Sequence, residues 1–206
     1  NAFYEKEKKR SQDNSENNKE IIEFLERNQF ENVKYFYSGS ISISQTENSE
    51  LALEKATGEY VSFVGDDDSV TPWLLDVVGW MKNSNSEGVI FAPASYSWPD
   101  LKYRVFKFPN LIIPRIEPKF IKLNPEYELH KCLRAGGQLL NLPKIYHGVI
   151  SKDTLDKIKT KFGKYFPGAS PDMANAVALS TVINQYHILR LPIIISGTSY
   201  YSAGGM

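Results

Sequence analysis

Three consecutive aspartates, Asp66, Asp67 and Asp68, follow an apolar run and a glycine in EYVSFVGDDDSVTPW, residues 59 to 73. Two carboxylates about 4 Å apart repel by roughly 4 kcal/mol at an effective dielectric near 20. A chain that closes a buried strand in this way needs something to offset the charge. Hard oxygen ligands suit Mg²⁺ or Mn²⁺, and those ions in turn suit phosphates. A divalent cation would neutralise the triplet and act as a Lewis acid towards a diphosphate leaving group. The simpler reading is a solvated acidic turn, or an aspartate capping the helix that Thr71-Pro72 opens. The preceding strand, the glycine and the proline-led helix favour the cation. Strand alternation sends Asp66 and Asp68 to one side and Asp67 to the other. All three can serve one ion only if the chain turns at Gly65.

The elements that must position these residues alternate along the chain. NNKEIIEFLERN, residues 17 to 28, sets Ile21, Ile22 and Leu25 on one side of an amphipathic helix. VKYFYS (33–38) reads as a strand, SISISQTENSE as a loop, and LALEKATG as a helix stopped by Gly58. YVSFVG then forms the strand that runs into the aspartates. Helix, strand, helix, strand is the pattern of a parallel sheet with crossover helices, and in such sheets ligands sit beyond the carboxyl ends of the strands. Trp73, Leu74, Leu75, Val77 and Val78 are expected to supply the buried face of the next helix. GVIFAPASYSW (88–98) is a strand candidate, and residues 99–124 an excursion with short strands over a binding face. PEYELHKCLRAGG is a helix closed by Gly136-Gly137. A strand over 145–150 leads to a helix capped at Ser151 and stopped at Gly163. SPDMANAVALSTVINQY is a helix, followed by the strand HILRLPIIIS and a Gly/Ser-rich tail.

Bulk composition excludes several classes. At 206 residues with zero formal charge, the chain has no nucleic-acid footprint. Its lone cysteine, Cys132, rules out an intrachain disulfide and fits a reducing compartment. No apolar run approaches the roughly 20 residues that a membrane-spanning helix needs. NAFYEKEKKRSQDNS lacks an initiator methionine and apolar periodicity, so residues 1–15 are expected to be a cut or disordered end, with the ordered domain starting near Glu16.

ATGEYVSFVGDDDSVTP resembles the segment of family 2 glycosyltransferases of the GT-A fold in which a helix ends Ala-x-Gly-Glu-Tyr. A strand there runs into an Asp-x-Asp motif, and a proline opens the next helix. IYHGVISKDTLDKI, FGKYF and SPDMANAVALS resemble the acceptor-side half of bacterial polysaccharide-building members. The resemblance implies an α/β, GT-A-like (Rossmann-like) fold with a mostly parallel central sheet flanked by helices. Residues 16–98 would form the nucleotide-sugar-binding half and 99–206 the acceptor-side half. It implies a metal-dependent, inverting transfer from a nucleotide-diphosphate sugar, a UDP-sugar being the expected donor, to a glycan or lipid-linked acceptor. Bound Mn²⁺ or Mg²⁺ and a cytoplasmic location, at or near the inner face of the membrane, go with it. Aligning Pro72 and the strand puts the family's first Asp on Gly65 and its metal-binding one on Asp67. Asp66 then stands in for the first carboxylate near the ribose, and Asp68 is the rival metal ligand. The base that takes the acceptor's proton lies at the start of a downstream helix, where Asp172 matches, behind Ser170 and Pro171; a first-turn Asp is also favoured by the helix dipole alone.

The chain departs from the pattern at its front. It has no Pro-Thr-Tyr-Asn-like turn, EKEKKRSQ does not read as a buried strand, and Glu50 stands where the family carries an Asn. The sheet is therefore expected to be N-terminally incomplete. Two further readings stay open. Asp66-Asp67-Asp68-Ser69-Val70 fits the nucleophile motif of haloacid-dehalogenase-like phosphatases, although no later acidic pair follows. A non-catalytic GT-A-like binding domain is the other. His147 could reach a metal or phosphate, or be a hydrogen-bonded edge histidine; His130 and His187 read as structural. Lys152 and Arg104 could meet a diphosphate or simply be solvated, and the tail GTSYYSAGG could close over the donor or be a flexible end; Trp73, Trp80 and Trp98 read as core or surface packing, although Trp98 could stack on an acceptor.

Overall fold

The structure, a computed structural model, describes residues 9–13, 17–39, 43–99, 110–138 and 141–200. Arg104 and the tail beyond Tyr200 lie outside the described residues. The elements run β1 (Lys9–Asp13), α1 (Lys19–Asn28), β2 (Val33–Tyr37), α2 (Gln45–Glu54), β3 (Tyr60–Val61) and β4 (Ser69–Val70). Then come α3 (Leu74–Ser84), β5 (Gly88–Phe91), β6 (Ala94–Ser97), β7 (Asn110–Ile112), β8 (Glu117–Leu123) and α4 (Pro125–Arg134). The chain finishes with β9 (Gly148–Ser151), α5 (Lys152–Phe162), α6 (Pro171–Ser180), β10 (Tyr186–Arg190) and β11 (Ile194–Thr198).

Three sheets form: β1-β2, β3-β9-β5-β10-β8, and β4-β11-β6-β7. The fold is α/β with helices flanking mixed sheets, but the central five-stranded sheet is not mostly parallel as expected: β5·β10 is its parallel pairing and β3·β9, β5·β9 and β8·β10 are antiparallel. The parallel pairings are β1·β2, β5·β10 and β6·β11; β9 and β8 enter the five-stranded sheet antiparallel. The five-stranded sheet carries a core on each face, because successive strand residues point to opposite sides. Ile90, Ile150 and Ile188 meet Leu53 of α2, Leu155 and Ile158 of α5 and Leu179 of α6. Val89, Phe91, Val149 and Leu189 face Leu74, Val77 and Met81 of α3. Each such fully buried aliphatic chain stabilises by about 1.5–3 kcal/mol relative to exposure.

Several sequence expectations need correcting. Lys9–Asp13 is a strand paired in parallel with β2, so the ordered domain starts before Glu16 and residues 9–13 are not a disordered end. Helix α2 begins at Gln45, ten residues before Lys55, which caps its end; Gly58 does not stop it. The cause is a capping box. Ser44 accepts from the Glu47 N–H at 3.2 Å while the Glu47 carboxylate accepts from the Ser44 N–H at 2.8 Å, which satisfies two otherwise orphaned donors. Trp73 precedes α3 and is 61% exposed, so the buried face is Leu74, Val77 and Met81. The expected strand over 88–98 breaks at Ala92-Pro93 into β5 and β6, which belong to different sheets. HILRLPIIIS likewise splits, at Leu191-Pro192, into β10 and β11. Proline cannot donate to a ladder, and here it marks each crossing between sheets.

Candidate active site

The strand before the aspartates is short. Val61 is buried, Phe63 makes one bridge to Tyr146, and Val64 is 41% exposed. The chain turns at Gly65: the Asp68 N–H donates to the Gly65 carbonyl at 3.3 Å, with Asp66 and Asp67 at the turn's centre. A Cβ on Gly65 would lie 2.9 Å from both Asp67 Oδ1 and the Tyr146 hydroxyl, so no carboxylate fits there without displacing them. The turn leads directly into β4, which pairs antiparallel with β11 through Ser69 and Ile195. Continuing that register sets Gly197 opposite Asp67. A Cβ on Gly197 would stand 1.8 Å from the Asp67 carbonyl oxygen, so only glycine permits this approach.

The aspartates part company here. Asp68 is turned inward, its side chain 3% exposed, and both its oxygens have protein donors. Oδ2 accepts from the Gly65 N–H at 2.7 Å and from His147 Nε2 at 2.8 Å; Oδ1 accepts from the Gly197 N–H at 2.8 Å. Burial pushes this carboxyl up, but the hydrogen bonds from His147, Gly65 and Gly197 outweigh it and hold Asp68 below the usual range. Asp67 is half-buried and accepts a long bond from the Ser199 N–H, 3.3 Å to Oδ2. Burial, then the charges of Asp68 and Asp66, raise its pKa. Asp66 is exposed. Much of the repulsion in the triplet is thus offset by His147 and backbone amides at Asp68, and what remains falls on Asp67.

His147 reaches Asp68 because the chain reverses at it. Ile145 and His147 bond alongside Phe63, whereas β9, immediately afterwards, runs antiparallel to β3. The reversal is a turn closed by the Gly148 N–H on the Ile145 carbonyl at 3.3 Å, with His147 at φ 56°. Left-handed backbone is uncommon outside glycine, though histidine tolerates it better than most. Gly148 is obligatory, since a Cβ would lie 2.3 Å from the Lys144 carbonyl oxygen.

The same segment borders the start of α6. The side-chain oxygen of Asn175 accepts from the Ile145 N–H at 3.4 Å, and its amide donates to the Tyr165 carbonyl at 3.2 Å. Asp172 sits one turn earlier. It is half-buried, with no hydrogen bond or ion pair among the described residues. Burial raises its pKa, and the charges of His147 and Lys144 partly oppose that. The helix dipole favours the ionised form at this first-turn position, and burial acts against it. Lys144 is pulled below the usual lysine range by burial, with Asp172 opposing. The Tyr146 hydroxyl is pushed above the usual phenol range by burial first and then by Asp68, Asp172, Asp67 and Asp66 in turn. Tyr146 therefore stays protonated as a hydrogen-bond donor between the acidic turn and Asp172. Tyr146, Lys144 and Gly197 carry no local signal in the sequence, because each acts through a neighbour distant in the chain.

Other candidates separate cleanly. His187 is buried, its Nδ1 2.8 Å from the Ser86 hydroxyl, and His130 is exposed, 4.0 Å from Glu126; neither is bonded to the acidic turn. Lys152 pairs with Asp156 and donates to the Tyr165 hydroxyl at 2.9 Å, away from the aspartates. Glu50 accepts from the Tyr165 and Phe166 amides at 2.9 and 3.1 Å, fastening α2 to the loop before α6. Among the described residues, no three His, Cys, Asp or Glu side chains form a metal cage. An apolar cavity of about 470 Å³ lined by Trp73, Trp80, Phe120 and Pro192 contains none of the acidic cluster.

An α/β domain with an acidic turn leading out of a central strand and a second carboxylate at a helix start is the build of a GT-A-like domain. Residues 11–138 match the family described as "Glycosyl transferase family 2", and the chain belongs to that family. This bears out the resemblance and sets aside the phosphatase alternative. No curated protein matches the chain in sequence. Among solved structures it is similar to S. aureus TarS 1-349 in complex with UDP-GlcNAc, with 17% identity and TM-score 0.58, over 89% of this chain and 47% of that one. The complex of TarS 1-349 with UDP gives 17% identity and TM-score 0.57, over 93% and 50%. A structure titled S. aureus TarS gives 15% and 0.61, over 93% and 30%. The chain thus spans half or less of the length of these structures. Among the described residues no helix is long and apolar enough to cross a membrane.

Proposed function

We propose that this chain is the sugar-nucleotide-binding and transferring domain of an inverting glycosyltransferase, using a UDP-sugar donor and a glycan or lipid-linked acceptor at the cytoplasmic face of the membrane. The observation that carries this reading is the placement of Tyr146 and His147 between the acidic turn and Asp172. One short segment thereby faces both the residues suited to a diphosphate and a carboxylate suited to proton abstraction. The solved TarS complexes with UDP and UDP-GlcNAc support the donor class.

The roles divide as follows. Asp67, half-buried and with its pKa raised by burial and by its two neighbours, is the metal ligand, and Asp66 lies towards the ribose. Asp68, with both oxygens engaged, holds the turn in shape and is set aside as the rival ligand. The donor set fits Mg²⁺ or Mn²⁺ held by one or two carboxylates and substrate phosphates, as those ions commonly are. Such an ion would supply charge neutralisation of the departing diphosphate. Asp172 accepts the proton of the acceptor hydroxyl at its carboxylate. Its raised pKa brings it nearer to neutral pH and makes it a stronger base than an exposed aspartate. Tyr146 donates a hydrogen bond to substrate oxygens between the two, and Lys144 interacts with Asp172 through its charge. The halves 16–98 and 99–206 then correspond to donor and acceptor sides.

A thermal-shift panel of nucleoside diphosphates with and without Mn²⁺ tests this. Stabilisation by UDP in the presence of metal supports the reading, since a ligand that binds only the folded state raises its melting temperature. No shift with any nucleotide would favour a non-catalytic domain.

A further inference from the structure

We propose that Trp98 is a stacking platform for a pyranose ring at the edge of the acidic turn, an inference that rests on the transferase reading above. Trp98 follows β6, where its backbone N–H donates to the Thr198 carbonyl at 3.0 Å. Its indole Nε1–H donates to the Asp67 carbonyl oxygen at 3.0 Å. Tyr96 meets the indole edge-on, with ring centroids 5.2 Å apart and planes at 84°. A Cβ on Gly197 would come within 2.8 Å of Nε1, so the strand beneath leaves room for the ring only because that residue is glycine. The indole is therefore fixed at three places, and Trp98 is still 42% exposed.

A large apolar ring held rigid and left open to solvent is a poor use of core packing and a good preparation for binding. Its setting selects the ligand. The Asp67 carboxylate and exposed Asp66 lie on the turn to which the indole is bonded, so an apolar face stands beside hydrogen-bond acceptors. A pyranose offers the matching surfaces, with C–H groups on one face and hydroxyl donors around its rim. The other tryptophans lack this setting. Trp80 stacks on Phe120 at 3.5 Å, and Trp73 borders the apolar cavity. The ring could be the transferred sugar of the donor or a sugar of the acceptor, and the chemistry is the same for both.

The chain has three tryptophans, so Trp73→Phe with Trp80→Phe leaves Trp98 as the sole indole emitter. That variant is titrated with UDP, UDP-GlcNAc and methyl β-D-glucopyranoside in Mn²⁺, with UDP binding followed independently by calorimetry. A change in emission with UDP-GlcNAc but not with UDP assigns the platform to the donor sugar. A change with the free glucoside assigns it to the acceptor. In the otherwise native chain, Trp98→Ala should weaken the responding sugar about tenfold, as loss of one stacking contact does, while calorimetric UDP affinity stays within about twofold. Emission unchanged by both sugars while UDP still binds would overturn the platform and leave the transferase reading standing. Failure of UDP itself to bind would overturn the reading on which the platform rests, and the platform with it.

Discussion

Asp68 and Asp172 are the same side chain in two environments, and the contrast between them organises the site. Asp68 is nearly closed off from solvent and surrounded by donors from three separate segments: Gly65, His147 and Gly197. Asp172 is half-buried at the start of α6 with no hydrogen-bonding partner among the described residues. The first is held ionised below the usual range, and the second is raised by burial. A carboxylate with both oxygens engaged shapes the backbone around it. One left without donors keeps its basicity for something that arrives. Asp67 lies between these extremes, next to a neighbour whose charge is already satisfied.

Substitution should separate the two. The largest effect is expected from Asp172→Asn on transfer: loss of a positioned base costs on the order of 10²–10⁴-fold in turnover, with UDP affinity unchanged. An equal fall in UDP affinity would move Asp172 to the donor side. Next, Gly197→Ala should destabilise the fold by about 3 kcal/mol in urea unfolding, because its methyl would collide with the Asp67 backbone. Wild-type stability in that variant would mean β11 can shift, and that the pinning of Asp68 is loose.

The same Asp→Asn change should then act with opposite sign on stability at the two carboxylates. Asp68 has its pKa lowered by folding, so its stabilisation is present above the ordinary value of 3.8 and is lost as pH falls through the folded one. Asp68→Asn should therefore cost about 1–3 kcal/mol at pH 7, with the gap closing in acid. Asp172 has its pKa raised, so its ionisation opposes folding as pH climbs through 3.8 and then through the folded value. Asp172→Asn should raise the melting temperature slightly at pH 7 and change nothing below pH 3.8. Shifts of the same sign at both positions would erase the distinction. The smallest expected change is from Ser44→Ala, about 1 kcal/mol lost from the cap of α2, with binding untouched.

How far the sequence could be read depended on how local the cause was. Helices α5 and α4 announce themselves, since Ser151 and Asn124 cap their starts through the Thr154 and Tyr127 amides and Gly163 stops α5 in the left-handed region. The capping box at Ser44 and Glu47 was equally local, and reading SISISQTENSE as a loop missed it. The acidic turn and Asp172 stood out by residue type and flanks. What holds them did not. Gly197 meets Asp68 across a strand pairing, and His147 does so through a reversal that needs both a left-handed histidine and an obligatory glycine after it. The strands that split at Pro93 and Pro192 read as single runs, because hydrophobicity alone does not say which sheet a residue joins. Lys9–Asp13 carries no apolar alternation and is a strand through its backbone pairing with β2.

Calorimetric titration of UDP into the wild-type chain and into Asp67→Asn, each with Mn²⁺ and again with EDTA, probes the division of labour within the triplet most directly. The account expects metal-dependent binding in the wild type, weakened by at least about tenfold in Asp67→Asn. Equal affinity in both proteins, with or without the chelator, would contradict it.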